Sequence, residues 1–411
     1  MDSPDQKVVH RVAWLICGDE SYGMGTAYLS LHKGLQAYGW PVSAVAMVDG
    51  PMAQALRDRG VTVQCMSAIG ARWPFHVDGG TLGRLRKLML RHRLARRAGL
   101  ELAGLLSGGD CDAVYVRWPG ILPVASRAAT RLGIPCLWHA PNAFSMQGFR
   151  LSSRRYQWEC LRYGIVPIGN SVYTAQTLGQ WPVRPKVVYL GVDPEVFCPD
   201  RVTPVLRCQL GIPESAIVLG VVAVVNWAKG QPLLLRAILS LGEAARDIHL
   251  LLVGKIGSPD ALASMRATAE QAGALHRLHF VGEVADPERY WPVADIAVSG
   301  FVGAEAFGLS IVEAMMMARP ALVHAKGGPA ETVLDGLTGW HVHDASVASF
   351  ACGVNRALAQ RRRWVEMGLA ARRRALENFS SKAYAQGLMR IVCETIAQRR
   401  GKNAAPNLDN G

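Results

Sequence analysis

Short, largely apolar runs alternate along this chain with longer stretches whose apolar positions recur every three or four residues. The first kind reads as strands buried on both faces and the second as helices packed on a sheet. In the first half the runs at 8–17, 41–48, 60–66, 112–117, 134–139 and 165–171 predict strands, and 186–190 a short one. Helical periodicity is expected over 27–38, 52–59, 83–97 and 172–178. In the second half, strands are predicted at 216–225, 249–254, 278–282, 296–299, 320–325 and 339–342, with helices at 308–318, 358–377 and 381–399. Strand and helix in alternation make a doubly wound parallel sheet, here twice over. Gly191-Val192-Asp193 followed by Phe197, Pro199 and Pro204 reads as the linker. The domains are therefore expected at 1–195 and 205–380, with a closing helix at 381–400 and a polar, disordered tail at 401–411.

A length of 411 residues suits two domains, and half of the residues are hydrophobic, enough for substantial cores. The opening Met-Asp-Ser-Pro-Asp lacks a basic leader, and the longest apolar run, 216–225, is too short to span a bilayer, so a cytoplasmic protein is expected. Nine cysteines stand singly with no Cys-x-x-Cys, which argues for reduced thiols and against a disulfide framework or zinc site. The formal net charge of +13 suits an anionic substrate or an acidic membrane surface. There is no nucleic-acid motif, and nucleic acid is set aside as a partner.

The densest candidate chemistry lies in GAEAFGLSIVEAMMMARPALVHAKGGPAETVLDGLTG, residues 303–339. A helix predicted to begin near Phe307-Gly308 offers free amides and a positive dipole end to an anion. Gly308 has no side chain to keep a diphosphate from the backbone. Glu305 stands just outside the helix start and Glu313 about a turn and a half inside it. Each carboxylate can accept hydrogen bonds from a pair of sugar hydroxyls, with a diphosphate between them. Taken without context, the two acids also suit the solvated rim of an ordinary amphipathic helix.

This segment resembles the donor-binding signature of the family 4 retaining glycosyltransferases, which have the GT-B fold: two Rossmann-like domains facing across a cleft. The resemblance implies that Glu305 contacts the donor sugar near the reacting carbon. Phe307, Gly308 and Leu309 would offer backbone amides to sugar and phosphate, and Glu313 would hold the ribose. It also implies that Lys229, at the end of the strand 216–225, grips the donor phosphates, and that backbone near Gly282 and Val284 meets the base. The family carries an arginine five residues before this lysine, where the present chain has Val224. From the first domain, a glycine loop with Gly23 and Gly25 would close over the diphosphate. His139, at a strand end, would lie near the reacting sugar. Arg117 and Asn142 are candidates for acceptor or phosphate contact. No Asp-x-Asp pair ends a strand, so no metal and no other cofactor is expected; helix-end amides and Lys229 would stabilise the leaving diphosphate.

The activity so implied is transfer of a hexose-type sugar from a nucleotide-sugar, UDP- or GDP-linked, to an acceptor hydroxyl, with retention at the anomeric carbon. A glycan, lipid-linked or small-molecule acceptor fits, in cell-envelope polysaccharide or glycolipid assembly or, alternatively, in secondary metabolism. Acceptor pockets are expected around 67–82 and 140–158. Other readings are epimerisation or hydrolysis of the donor, a degenerate domain that binds a nucleotide-sugar without turnover, or a membrane-surface protein. The last draws on residues 84–97, where Arg84, Arg86, Lys87, Arg91, Arg93, Arg96 and Arg97 alternate with leucines. Such a helix has one apolar face and can lie on an anionic membrane, or simply be a domain helix with a solvated side.

Overall fold

A computed structural model of the chain describes residues 9–20, 22–66, 81–108, 111–143, 150–178 and 184–404. The tail from 405 onward and most of the two expected acceptor-pocket loops lie outside the described residues. The chain divides into two compact units, Met1–Tyr189 with Ser381–Gly411, and Leu190–Ser380.

The first unit holds β1 (Val12–Ile16), β2 (Val42–Ala46), β3 (Thr62–Cys65), β4 (Ala113–Val116), β5 (Cys136–Ala140), β6 (Val166–Gly169) and β7 (Lys186–Val187). They form one parallel sheet in the order β3-β2-β1-β4-β5-β6-β7. β1, β4 and β5 are buried along their whole length, as apolar strands covered by helices on both faces must be. Strand order reverses between β1 and β4, the switch point where open α/β sheets place ligands at the carboxyl ends.

Two local expectations change here. The first helix begins at Tyr22, five residues early, and runs to Ala37. The cause is Glu20, whose carboxylate accepts hydrogen bonds from the backbone N–H of Cys17 (2.6 Å) and Gly18 (2.8 Å) and so turns the chain over 17–20. Gly23 and Gly25 therefore stand in the first helical turn rather than in a loop. The basic stretch is part of a longer helix, Thr81–Ser107. Its Ala95, Ala98, Leu102, Ala103 and Leu106 are buried in the core, while Arg86, Arg93, Arg96 and Arg97 are exposed.

The second unit holds β8 (Ile217–Val222), β9 (Ile248–Val253), β10 (Leu278–Gly282), β11 (Ile296–Ser299), β12 (Ala321–His324) and β13 (Gly339–Val342). They form a second parallel sheet in the order β10-β9-β8-β11-β12-β13, with its own core. The expected single helix at 358–377 is two helices, Val347–Ala359 and Trp364–Asn378. Two indole donors pin the break between them: Trp340 Nε1 donates to Gln360 Oε1 (3.0 Å) and Trp364 Nε1 to the carbonyl of Ala357 (2.8 Å). Among the described residues no helix is long and apolar enough to cross a membrane.

Candidate functional site

In the second unit, β8 and β11 are neighbours, and the segments that leave their carboxyl ends, 223–230 and 300–308, run side by side. Val302 N–H donates to the carbonyl of Ala228 (2.9 Å). The backbones at Gly230 and Gly300 approach so closely that a Cβ on Gly230 would lie 1.9 Å from the Gly300 oxygen. Only glycine fits there, and Gly230, with φ 72°, also opens the helix Gln231–Ser240.

This packing brings together two of the expected residues, 76 positions apart. Lys229 Nζ lies 2.8 Å from Glu305 Oε2, with both side chains partly exposed. Lys229 N–H donates to Asn226 Oδ1 (2.8 Å), and Gln231 Nε2 donates to the carbonyl of Val224 (3.0 Å), so the loop carrying the lysine is tied at three points. Asn226 and Gln231 had no assigned role in the sequence, although Asn at a loop start is the usual signal for such a bond. Glu305 is held from the other side. Its N–H donates to the carbonyl of Lys326 (3.1 Å), and its own carbonyl accepts from Gly328 N–H (2.8 Å).

Three residues after Glu305, Gly308 adopts the left-handed conformation (φ 87°) and opens the helix Leu309–Met316. The amides of Gly308, Leu309 and Ser310 come ahead of the helix's own bonds, the first of which run from Ile311 and Val312 N–H to the Gly308 carbonyl, and this makes the helix start a place for an anion. Phe307 is buried edge-on against Phe379, ring centroids 5.8 Å apart, so its ring is structural and its backbone alone faces the helix start. Leu309 is the first helical residue.

Glu313 sits in the second turn of this helix, and only 8% of its surface is exposed. Burial, with the Glu288 carboxylate as a smaller influence, pushes its acid up to about 8. At neutral pH it is mostly a neutral carboxylic acid, which donates one hydrogen bond and accepts others. The sequence could place Glu313 on the helix but not foresee its protonation, which comes from packing. Gly282 ends β10 and donates no side chain; its carbonyl accepts from Gly254 N–H (2.7 Å). Val284 is half-buried against the cluster of Ile212, Val218 and Val293.

In the first unit His139 has no exposed surface. Its Nδ1 faces the hydroxyls of Tyr115 (2.9 Å) and Tyr384 (3.3 Å), which bond each other at 3.0 Å. Burial and the nearby Arg117 cation hold its pKa well below the ordinary histidine value, so the ring is neutral. These surroundings make it a core histidine that ties the helix Ser381–Ala404 to the sheet, and no ring atom is open to a sugar. Arg117 is likewise buried, 1% exposed, with its guanidinium 5.5 Å from the Tyr28 ring centroid and Nη1 3.5 Å from the Met24 carbonyl. Asn142 is exposed just beyond β5. The first unit thus keeps Arg117 and His139 inside and Asn142 outside.

Residues 203–374 match the family model described as glycosyl transferases group 1. The chain is 32% identical over 222 residues to the D-inositol 3-phosphate glycosyltransferase of Corynebacterium aurimucosum, covering 51% of this chain and 51% of that protein. The chain thus spans about half the length of such relatives. Its fold is that of a glycosyltransferase from Rickettsia africae, with a TM-score of 0.79 at 17% identity over 94% of this chain and 99% of that one. Anabaena HepE in complex with UDP and glucose matches with a TM-score of 0.74 at 20% identity, over 93% of this chain and 99% of that one. Both likenesses are of fold, the two-domain α/β GT-B fold.

Proposed function

We propose, from the match of residues 203–374 to the glycosyl transferases group 1 model, that the chain is a glycosyltransferase that draws on a nucleotide-sugar and works with retention. The observation that carries the reading is the Lys229–Glu305 pair, at 2.8 Å, beside the open amides at Gly308 and Leu309. A diphosphate seated on that helix start lies within reach of the Lys229 ammonium, which neutralises charge as the sugar–phosphate bond breaks. Glu305, released from the lysine, accepts hydrogen bonds from the sugar. Glu313 meets the ribose hydroxyls, and the backbone at Gly282 and Val284 meets the base. The donor is a UDP- or GDP-sugar, and no metal is needed. HepE, whose structure holds UDP and glucose, gives the UDP choice some support.

Asn142 and the neighbouring surface of the first unit receive the acceptor; His139 and Arg117 support that surface from inside. The acceptor proposed is a cell-envelope glycan or glycolipid, with a small metabolite as the alternative. The exposed Arg86, Arg93, Arg96 and Arg97 on one helix, with exposed Met89 and Leu90, favour an acceptor held at an anionic membrane. Flotation of the protein with phosphatidylglycerol vesicles tests this, and equal flotation with neutral vesicles argues against it.

One observation keeps a second reading in view: Val224 stands where the family carries a phosphate-gripping arginine, which suits a domain that binds a nucleotide-sugar without turning it over. The deciding assay supplies UDP- and GDP-sugars with a panel of acceptors and follows nucleoside diphosphate release, reading the product's anomeric configuration by NMR. An α-linked product from an α-linked donor, with release lowered at least ~100-fold in Glu305→Gln, supports the transferase. An inverted product contradicts the retaining mechanism. Nucleotide binding with no release supports the second reading.

A further inference from the structure

Lys229 has a second neighbour that the reading above does not use. Its ammonium lies 4.8 Å from the centroid of the Phe301 ring, within the range of a cation–π contact. The ring is fixed there by its backbone. The Phe301 carbonyl accepts from His324 Nδ1 (2.8 Å), a histidine 5% exposed on β12. The next residue, Val302, is bonded to Ala228, the residue before the lysine. Gly303 leaves room for the ring: a Cβ there would meet Phe301 Cε1 at 3.0 Å. The ammonium is thus placed between a carboxylate and an aromatic face.

A lysine is a point charge on a flexible four-carbon stem, and fixing it costs rotamer entropy. Where an arginine stands beside it, the diphosphate has a second, planar grip. Here that position is Val224, and its side chain is packed on backbone: a Cβ on Gly257 would lie 2.5 Å from Val224 Cγ1.

We infer that Phe301 is a positioning residue, holding the Lys229 ammonium toward the donor diphosphate. The inference rests on the reading of Lys229 as the diphosphate grip. When the diphosphate arrives, Lys229 leaves Glu305 and keeps the ring, so the stem need not be ordered anew.

The experiment is a double-mutant cycle read by calorimetry with UDP, GDP and ADP as probes. Phe301→Leu keeps apolar bulk and removes the aromatic face. With the probe that binds wild type, Kd should rise about 3- to 30-fold, the range of a contact worth ~0.5–2 kcal/mol. Phe301→Trp should restore affinity. In a Lys229→Ala background Phe301→Leu should change nothing further, because its effect passes through the ammonium. If Lys229→Ala weakens binding but Phe301→Leu does not, the inference is overturned and the reading of the site stands. If Phe301→Leu weakens binding equally with and without the lysine, its role is structural and the inference is overturned. If no probe binds wild type, the reading of the site fails and takes the inference with it.

Discussion

Replacing Glu313 by glutamine removes a buried acid while keeping its shape and most of its hydrogen-bonding capacity. The acid is held up to about 8 in the folded chain against an ordinary value of 4.5. Between those values the folded protein keeps a proton that the unfolded chain has lost, so stability falls as pH rises. Below 4.5 the effect is absent, and above 8 it is complete. At about 1.36 kcal/mol per pH unit, wild type should lose roughly 2–3 kcal/mol more than Glu313→Gln between pH 6 and pH 9. For a unit of this size that is about 5–10 °C in Tm. Melts of both proteins, followed by tryptophan fluorescence across this range, make the comparison. Curves that run parallel would refute the reasoning, because an ionised Glu313 in a solvated setting gives no such difference. A second readout joins this to the site. If ribose hydroxyls favour the ionised form, nucleotide binding at pH 7 should release a proton, seen as a binding enthalpy that varies with the buffer.

Gly308→Ala puts a side chain at φ 87° with its Cβ 3.3 Å from Pro329 Cγ. It should cost about 1–2 kcal/mol and lower Tm by roughly 2–8 °C, and an unchanged Tm would mean that the left-handed turn is not needed. In the second sheet His249 donates from Nδ1 to His279 Nε2 (2.8 Å), since His279 Nδ1 donates to the Leu210 carbonyl (3.0 Å). Burial first, then the neighbouring histidines and arginines, lowers His249 to about 4. The folded protein thus resists a proton that the unfolded chain takes up below 6.5, so stability should fall by about 2 kcal/mol between pH 7 and pH 5. His249→Asn should flatten that fall, and an equal acid loss in both proteins would show that this pair does not titrate.

The strands could be read from the sequence because a strand buried on both faces must be largely apolar, as β1 and β8 are. Gly308 stood out in the sequence for the access that its missing side chain gives an anion, whereas its left-handed turn (φ 87°) is seen only in the structure. What depended on distant packing was not legible. His139 meets Tyr384, 245 residues further on, and that contact makes it a core residue. Gly23 and Gly25 read as a loop because glycine weakens a helix, but the Glu20 bonds to Cys17 and Gly18 start the helix ahead of them. Phe301 follows β11 with nothing beside it in the sequence to mark a role. Its place beside Lys229 follows from the pairing of two segments some 70 residues apart.

On the reading proposed here, the surface around Lys229, Glu305 and Gly308 holds a nucleoside diphosphate without a metal. A thermal-shift titration with UDP, GDP, ADP and their common sugars, each with Mg²⁺ and with EDTA, tests it most directly. At about 100 times its dissociation constant a ligand stabilises by roughly 2.7 kcal/mol, well within detection. A clear rise in Tm is expected with UDP or GDP, indifferent to EDTA and much reduced in Lys229→Ala. No rise with any nucleotide, or a rise that EDTA abolishes, would contradict it.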